Sequence, residues 1–127
     1  MGDIVGVGLD LVELSRVARS LERWGDRLVS RLMDPGEAGA LPSGRPERIQ
    51  AVATAIALKE AASKALATGW SRGVHWRQVV ARPGPPPAVE LTGRAAEVAR
   101  ERGSSGTTMS SLETRGDLLL AEVWLLE

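Results

Sequence analysis

The stretch Gln50–Thr68 constrains the fold of this chain more than any other segment. It contains no glycine or proline and is dominated by alanine, the strongest helix former, before Gly69 supplies a stop. A helix built so largely of alanine is thin, and neighbouring elements can approach it closely. Near the N-terminus, Ile4–Leu9 reads as a short apolar strand in which Gly6 and Gly8 mark a bend or a close backbone approach.

The remaining elements follow from periodicity and punctuation. Leu14, Val17, Ala18, Leu21, Trp24, Leu28 and Leu32 recur near the 3.6-residue period, which predicts one helix with Ser15 as its cap. Asp34-Pro35-Gly36 stops it, and residues 40–47 read as a loop. Arg77–Arg82 and Ala88–Leu91 read as strands joined by the stiff Pro83–Pro87 connection. Thr92 is the expected cap of a third helix reaching about Arg102, and Thr107–Leu112 with Leu118–Leu126 form a closing hairpin. The expectation is an α+β fold with a largely antiparallel sheet packed against helices, in one domain spanning 1–127.

Composition removes several classes of function. With no cysteine, disulfides and thiolate metal sites are excluded. Sixteen basic and sixteen acidic residues cancel, so bulk charge gives no argument for nucleic acid, and the absence of Phe and Tyr removes the usual base-stacking platforms. No apolar run is long enough to span a bilayer, and Met1-Gly2-Asp3-Ile4 lacks a secretory start, so a cytoplasmic protein is expected.

Two short segments carry the chemistry. Gly6-Val7-Gly8-Leu9-Asp10 ends a strand on an acid; on composition alone Asp10 reads first as a helix-start or turn residue. In Lys59-Glu60-Ala61-Ala62-Ser63-Lys64, Glu60 and Lys64 are four apart and share a helix face. They could form a solvated ion pair, or Glu60 could anchor a hard cation while Lys64 neutralises phosphate. Magnesium suits the second reading, because it takes one or two protein carboxylates and completes its shell with water and substrate phosphates. Spacing alone leaves both open.

Gly8-Leu9-Asp10-Leu11-Val12-Glu13-Leu14-Ser15-Arg16-Val17 resembles the opening motif of the holo-acyl-carrier-protein synthases, a branch of the 4′-phosphopantetheinyl transferases. Ala57–Gly69 is similar to that family's Lys-Glu-Ala helix and its threonine-glycine ending, and the likeness continues through Arg27–Glu37, Gly73–Trp76 and Pro87–Gly93. The resemblance implies transfer of 4′-phosphopantetheine from coenzyme A to a serine of an apo-acyl carrier protein, releasing adenosine 3′,5′-bisphosphate. It implies Asp10 and Glu60 as magnesium ligands, with Asp10, Glu60 and Lys64 as the catalytic set. It also implies Ser63, Lys64, Thr68, Gly69 and Pro87 along the coenzyme A site, and a homotrimer with active sites between subunits. The serine proton would pass to Glu60, directly or through water.

Arg16, Arg19, Arg23, Arg27 and Arg31 recur at three- and four-residue steps, with only Glu22 and Asp26 as acids between them. That is an ordinary solvated face or a docking stripe. The resemblance implies the latter, with Arg16 and Arg23 as contacts for an acidic carrier protein. The lone His75 reads as structural or surface, and Trp76 as core.

Two regions depart from the family pattern. Ala55 and Ile56 replace an arginine and an aromatic, and Thr114 replaces a histidine that helps hold coenzyme A. Both changes are expected to take polar groups out of the nucleotide pocket, with Arg48, Arg72 or Arg115 as candidate substitutes. The departures keep two other readings open: a non-catalytic carrier-protein-binding module, or a different reaction on a carrier-bound or coenzyme A-linked substrate.

Overall fold

The computed structural model describes residues 3–127; Met1 and Gly2, part of the start read above, lie outside the described residues. The chain runs β1 (Ile4–Glu13), α1 (Leu14–Trp24), α2 (Asp26–Leu32), α3 (Pro35–Gly39), α4 (Arg45–Ala65), β2 (Val79–Arg82), β3 (Ala88–Leu91), α5 (Gly93–Glu101), β4 (Thr108–Arg115) and β5 (Leu118–Leu126). A 3₁₀ turn, Trp76–Gln78, precedes β2. β1, β5 and β4 form a three-stranded sheet in that order, and β2 pairs with β3. All pairing is antiparallel, as the α+β reading expected.

The alanine helix is the centre of the molecule. Val52, Ala53, Ala57, Leu58, Ala61 and Ala62 are at most 1% exposed, the pattern of a helix buried on most of its circumference. β1 lies directly on it. A Cβ added at Gly6 would sit 2.1 Å from the Ala65 carbonyl oxygen, and one at Gly8 would sit 1.8 Å from that of Ala61. Glycine on the strand and alanine on the helix are therefore two halves of one contact. This close approach sets Asp10, two residues beyond Gly8 on the same strand face, beside the helix that carries Glu60 and Lys64.

Several local expectations are corrected. The first predicted helix is two, broken at Gly25, whose φ of +51° suits glycine. Ser15 is not its cap; α1 starts at Leu14 with no side-chain cap on Glu13, and Asp117 of the β4–β5 turn takes that role. Asp34-Pro35-Gly36 ends one helix but opens another. Asp34 and Glu37 form a reciprocal capping box, Glu37 N to Asp34 Oδ1 at 2.7 Å and Asp34 N to Glu37 Oε1 at 3.1 Å. α4 begins at Arg45, inside the expected loop, because Pro46 suits a first helical turn. The Thr92 hydroxyl donates to the Gln78 carbonyl at 2.9 Å instead of capping α5.

The outer face of the three-stranded sheet is apolar. Val7, Leu9 and Leu11 of β1 are 50%, 49% and 58% exposed, and Met109 of β4 is 54% exposed. Among the described residues no helix is long and apolar enough to cross a membrane.

Candidate active site

Where β1 runs into α1, a cleft of about 390 Å³ opens, lined by Asp10, Arg16, Ile56 and Glu60 among others. Three elements supply it. Asp10 comes from the end of β1, Arg16 from the first turn of α1, and Ile56 and Glu60 from adjacent turns of α4.

Lys64 lies beside the cleft, and its partner is not Glu60. The ammonium donates across to Asp10 Oδ1 at 2.9 Å and to the Leu9 carbonyl at 3.0 Å. The solvated Glu60–Lys64 pair, one of the two readings open from spacing, is therefore absent. Glu60 has no ion-pair partner among the described residues, although its carboxylate lines the cleft. The Lys64 side chain is 51% exposed, so its pairing with Asp10 contributes only about 0–1 kcal/mol and is readily exchanged.

The donor set fits magnesium. Asp10 and Glu60, from different elements, line one cleft together with Glu13, but no group of three or more His, Cys, Asp or Glu among the described residues is placed to hold a single metal ion. A pair of hard oxygen donors is too few for an all-protein calcium or zinc cage. It is the usual protein share for magnesium, which keeps water and substrate phosphates in its shell.

Other expected site residues lie elsewhere. Ser63 is fully buried, and its hydroxyl donates back to the Glu60 carbonyl at 2.7 Å, so as folded it presents nothing to a ligand. Thr68 and Gly69 follow the end of α4; their N–H groups both reach the Ser63 carbonyl, and Gly69 adopts a φ of +57°. Pro87 lies in the β2–β3 connection, just before β3. None of these four lines the Asp10–Glu60 cleft.

The two departures separate in space. Ile56 faces the cleft, whereas Ala55 lines a different hollow with Glu37, Ala81 and Pro83. Thr114 lies near the end of β4, opposite Leu119. The carboxylate cleft is thus untouched by the changes at Ala55 and Thr114. The three arginines considered as substitutes are engaged elsewhere: Arg48 with Asp26, Arg72 with Glu101 and Arg115 with Glu113.

Arg16, Arg19, Arg23, Arg27 and Arg31 are all exposed, and none forms a salt bridge among the described residues. The two acids within the stripe are occupied: Glu22 faces Arg45 at 3.9 Å and Asp26 faces Arg48 at 3.7 Å. Trp24 is exposed between Arg23 and Arg27, whose guanidinium carbons lie 5.0 and 5.7 Å from its ring centre. His75 is exposed at the start of the 3₁₀ turn. Trp76 packs on the core and stacks on Trp70 with ring centres 4.1 Å apart.

Lys59, next to Glu60 in the same motif, has no role assigned from the sequence. Its side chain is wholly buried, and its ammonium donates to Glu37 Oε1 at 2.9 Å, to the Trp76 carbonyl at 3.0 Å and to the Val79 carbonyl. Glu37 Oε2 accepts the Ala81 N–H at 3.0 Å, so one ion pair ties α4 to α3 and β2. Burial pulls the Lys59 ammonium below its usual range, opposed by the Glu37 carboxylate. The Asp34-x-x-Glu37 capping box was the available sequence signal for this corner.

A sequence profile of the 4′-phosphopantetheinyl transferase superfamily matches residues 6–119. The chain is 47% identical to a holo-[acyl-carrier-protein] synthase of Methylobacterium sp. over 95 residues, covering 73% of this chain and 70% of the relative. The fold matches the crystal structure of the Neisseria meningitidis holo-[acyl-carrier-protein] synthase with a TM-score of 0.83 and 28% identity, covering 98% of this chain and 100% of that one. It also matches a Bacillus anthracis holo-(acyl-carrier-protein) synthase in complex with CoA (3′,5′-ADP), with a TM-score of 0.73 and 26% identity over 98% and 97% of the two chains.

Proposed function

The chain belongs to the 4′-phosphopantetheinyl transferase superfamily, among its holo-acyl-carrier-protein synthases, and on that premise we propose that Asp10 and Glu60 are the protein ligands of a catalytic magnesium ion. The reaction is transfer of 4′-phosphopantetheine from coenzyme A to a serine of an apo-acyl carrier protein, with adenosine 3′,5′-bisphosphate as the other product. The observation that supports the magnesium assignment is that Asp10 of β1 and Glu60 of α4 line one cleft.

When bound, magnesium supplies charge neutralisation for the diphosphate of coenzyme A. The carrier serine oxygen bonds to the β-phosphorus as the bond from that phosphorus to the leaving phosphate oxygen breaks. The serine proton goes to Glu60, an assignment supported by its carboxylate having no ion-pair partner among the described residues. Lys64 turns from Asp10 to the leaving phosphate and offsets the charge that develops there; the weakness of its present pairing supports that exchange. With Lys64 turned away, the Asp10 carboxylate would be free to hold the metal together with Glu60.

Coenzyme A is the co-substrate, and we assign Thr68, Gly69 and Pro87 to its more distant parts. Ser63 acts on that site only through the shape of the α4 terminus. The acidic carrier protein docks along the arginine stripe, with Arg16 at the cleft and Arg23 further out, a reading supported by the stripe's exposed guanidinium groups, none of which forms a salt bridge among the described residues. The protein works as a homotrimer, with the apolar face of the β1-β5-β4 sheet against its neighbours; the half-exposed Val7, Leu9 and Leu11 support this. The same reading makes it cytoplasmic, one unit over its whole length.

Intact-mass spectrometry of apo-carrier protein incubated with the enzyme, coenzyme A and magnesium tests the proposal. The expected result is a gain of one phosphopantetheine arm, abolished in both Asp10→Ala and Glu60→Ala. Carrier binding with no mass gain would instead establish a binding module, and undiminished transfer by either variant would remove its carboxylate from the mechanism.

A further inference from the structure

The first turn of α1 has no side-chain cap from its own flank. Its donors are taken by Asp117, 102 positions along the chain from Ser15. The Leu14 N–H donates to the Asp117 carbonyl at 2.8 Å, the Ser15 N–H to Oδ1 at 2.9 Å and the Ser15 hydroxyl to Oδ2 at 2.5 Å. The carboxylate satisfies the Ser15 N–H, an orphan backbone donor, and faces the positive end of the helix dipole, while the Asp117 carbonyl takes the Leu14 N–H.

This contact lies at a mechanically sensitive corner. β1 ends at Glu13 and α1 starts at Leu14, with no intervening residue to absorb a change of direction. Asp10 lies three residues before the corner and Arg16 two residues after its first helical residue, and both line the same cleft. Further along, α1 is held independently by Val17, which is 5% exposed, and by Leu21 against the core. Loss of the Asp117 contact would therefore free the first turn, with Ser15 and Arg16, while leaving the rest of α1 attached.

We propose that Asp117 is a positioning residue for the carrier-protein substrate, fixing Arg16 relative to Asp10 and Glu60. This rests on the reading that Arg16 meets the carrier. A carrier docked on α1 takes its register from that helix, whereas the chemistry takes its register from β1 and α4. Asp117 joins the two frames where they diverge.

Steady-state kinetics on wild type, Asp117→Ala, Arg16→Ala and the double variant test this. Asp117→Ala should raise KM for carrier protein about fivefold, the effect of one lost cap, with kcat and KM for coenzyme A unchanged. Asp117→Asn, which keeps an acceptor for the Ser15 N–H, should restore most of the loss. In the Arg16→Ala background, Asp117→Ala should add nothing further. An equal rise in both KM values, or additive effects in the double variant, would reduce Asp117 to a stabilising residue and overturn the inference. If Arg16→Ala raises the carrier KM and Asp117→Ala does not, the inference alone fails. If Arg16→Ala leaves that KM unchanged, the docking reading fails and takes the inference with it. Should Asp117→Ala not fold, Ser15→Ala removes one of the three bonds and must show the same selective effect, smaller, in the same cycle.

Discussion

Adjacent residues of one motif serve opposite ends of the molecule. Glu60 faces the cleft, while Lys59 points through the core to Glu37 and two backbone carbonyls. Lys59→Met would leave the Glu37 carboxylate, 5% exposed, without its charge partner, at a cost of about 3–5 kcal/mol in chemical denaturation. Lys59→Met with Glu37→Leu should recover part of that loss, since no lone charge remains buried. The pH dependence follows from the lowered affinity of Lys59 for its proton. Between the depressed folded value and 10.5, the unfolded chain holds more protons at this position, so wild type should gain stability over the double variant as pH rises through that window. A loss of relative stability there would mean that Glu37 outweighs burial. Sequence gave no hint of this lysine, because a lysine in a helix is nearly always at the surface and only the fold shows what surrounds it.

Among the elements, the contact between β1 and α4 was the most legible, because both partners write it in residue type: glycine on the strand, alanine on the helix. Gly8→Ala should cost about 3 kcal/mol or more in urea denaturation, because the new methyl meets the Ala61 carbonyl and neither backbone can retreat. Gly39→Ala, with nothing within 4 Å of the added carbon, should change stability by less than about 0.5 kcal/mol. Equal effects would show that the strand does not press on the helix. The break at Gly25 was hidden because Trp24, Leu28 and Leu32 keep a helical step across it, and a glycine inside a helix costs only about 1 kcal/mol. The Asp117 cap was hidden for another reason. A helix capped from a turn 102 residues away leaves no local signature.

For the whole molecule, the exposed apolar sheet face is what a lone chain leaves unexplained. A trimer formed through it predicts that wild type sediments as a trimer, while Leu9→Lys with Leu11→Lys sediments as a monomer. A monomeric wild type, or a variant that stays trimeric, would locate the subunit contact elsewhere. That Asp10 and Glu60 share a cleft was legible because they sit in motifs whose elements pack against each other. How Thr68, Gly69 and Pro87 relate to it was not legible, since they follow the helix end and a separate hairpin connection and lie outside that cleft. The central claim is that Asp10 and Glu60 hold magnesium, and its most direct test is the magnesium dependence of the transfer rate in wild type, Asp10→Asn and Glu60→Gln at saturating substrates. Half-saturation should rise at least about tenfold in each variant, since even second-layer partners of a metal ligand contribute that much. Calorimetric affinity for coenzyme A without magnesium should stay within twofold, on the order of the change expected when no direct contact is lost. An unchanged magnesium requirement in either variant would contradict the assignment of its carboxylate.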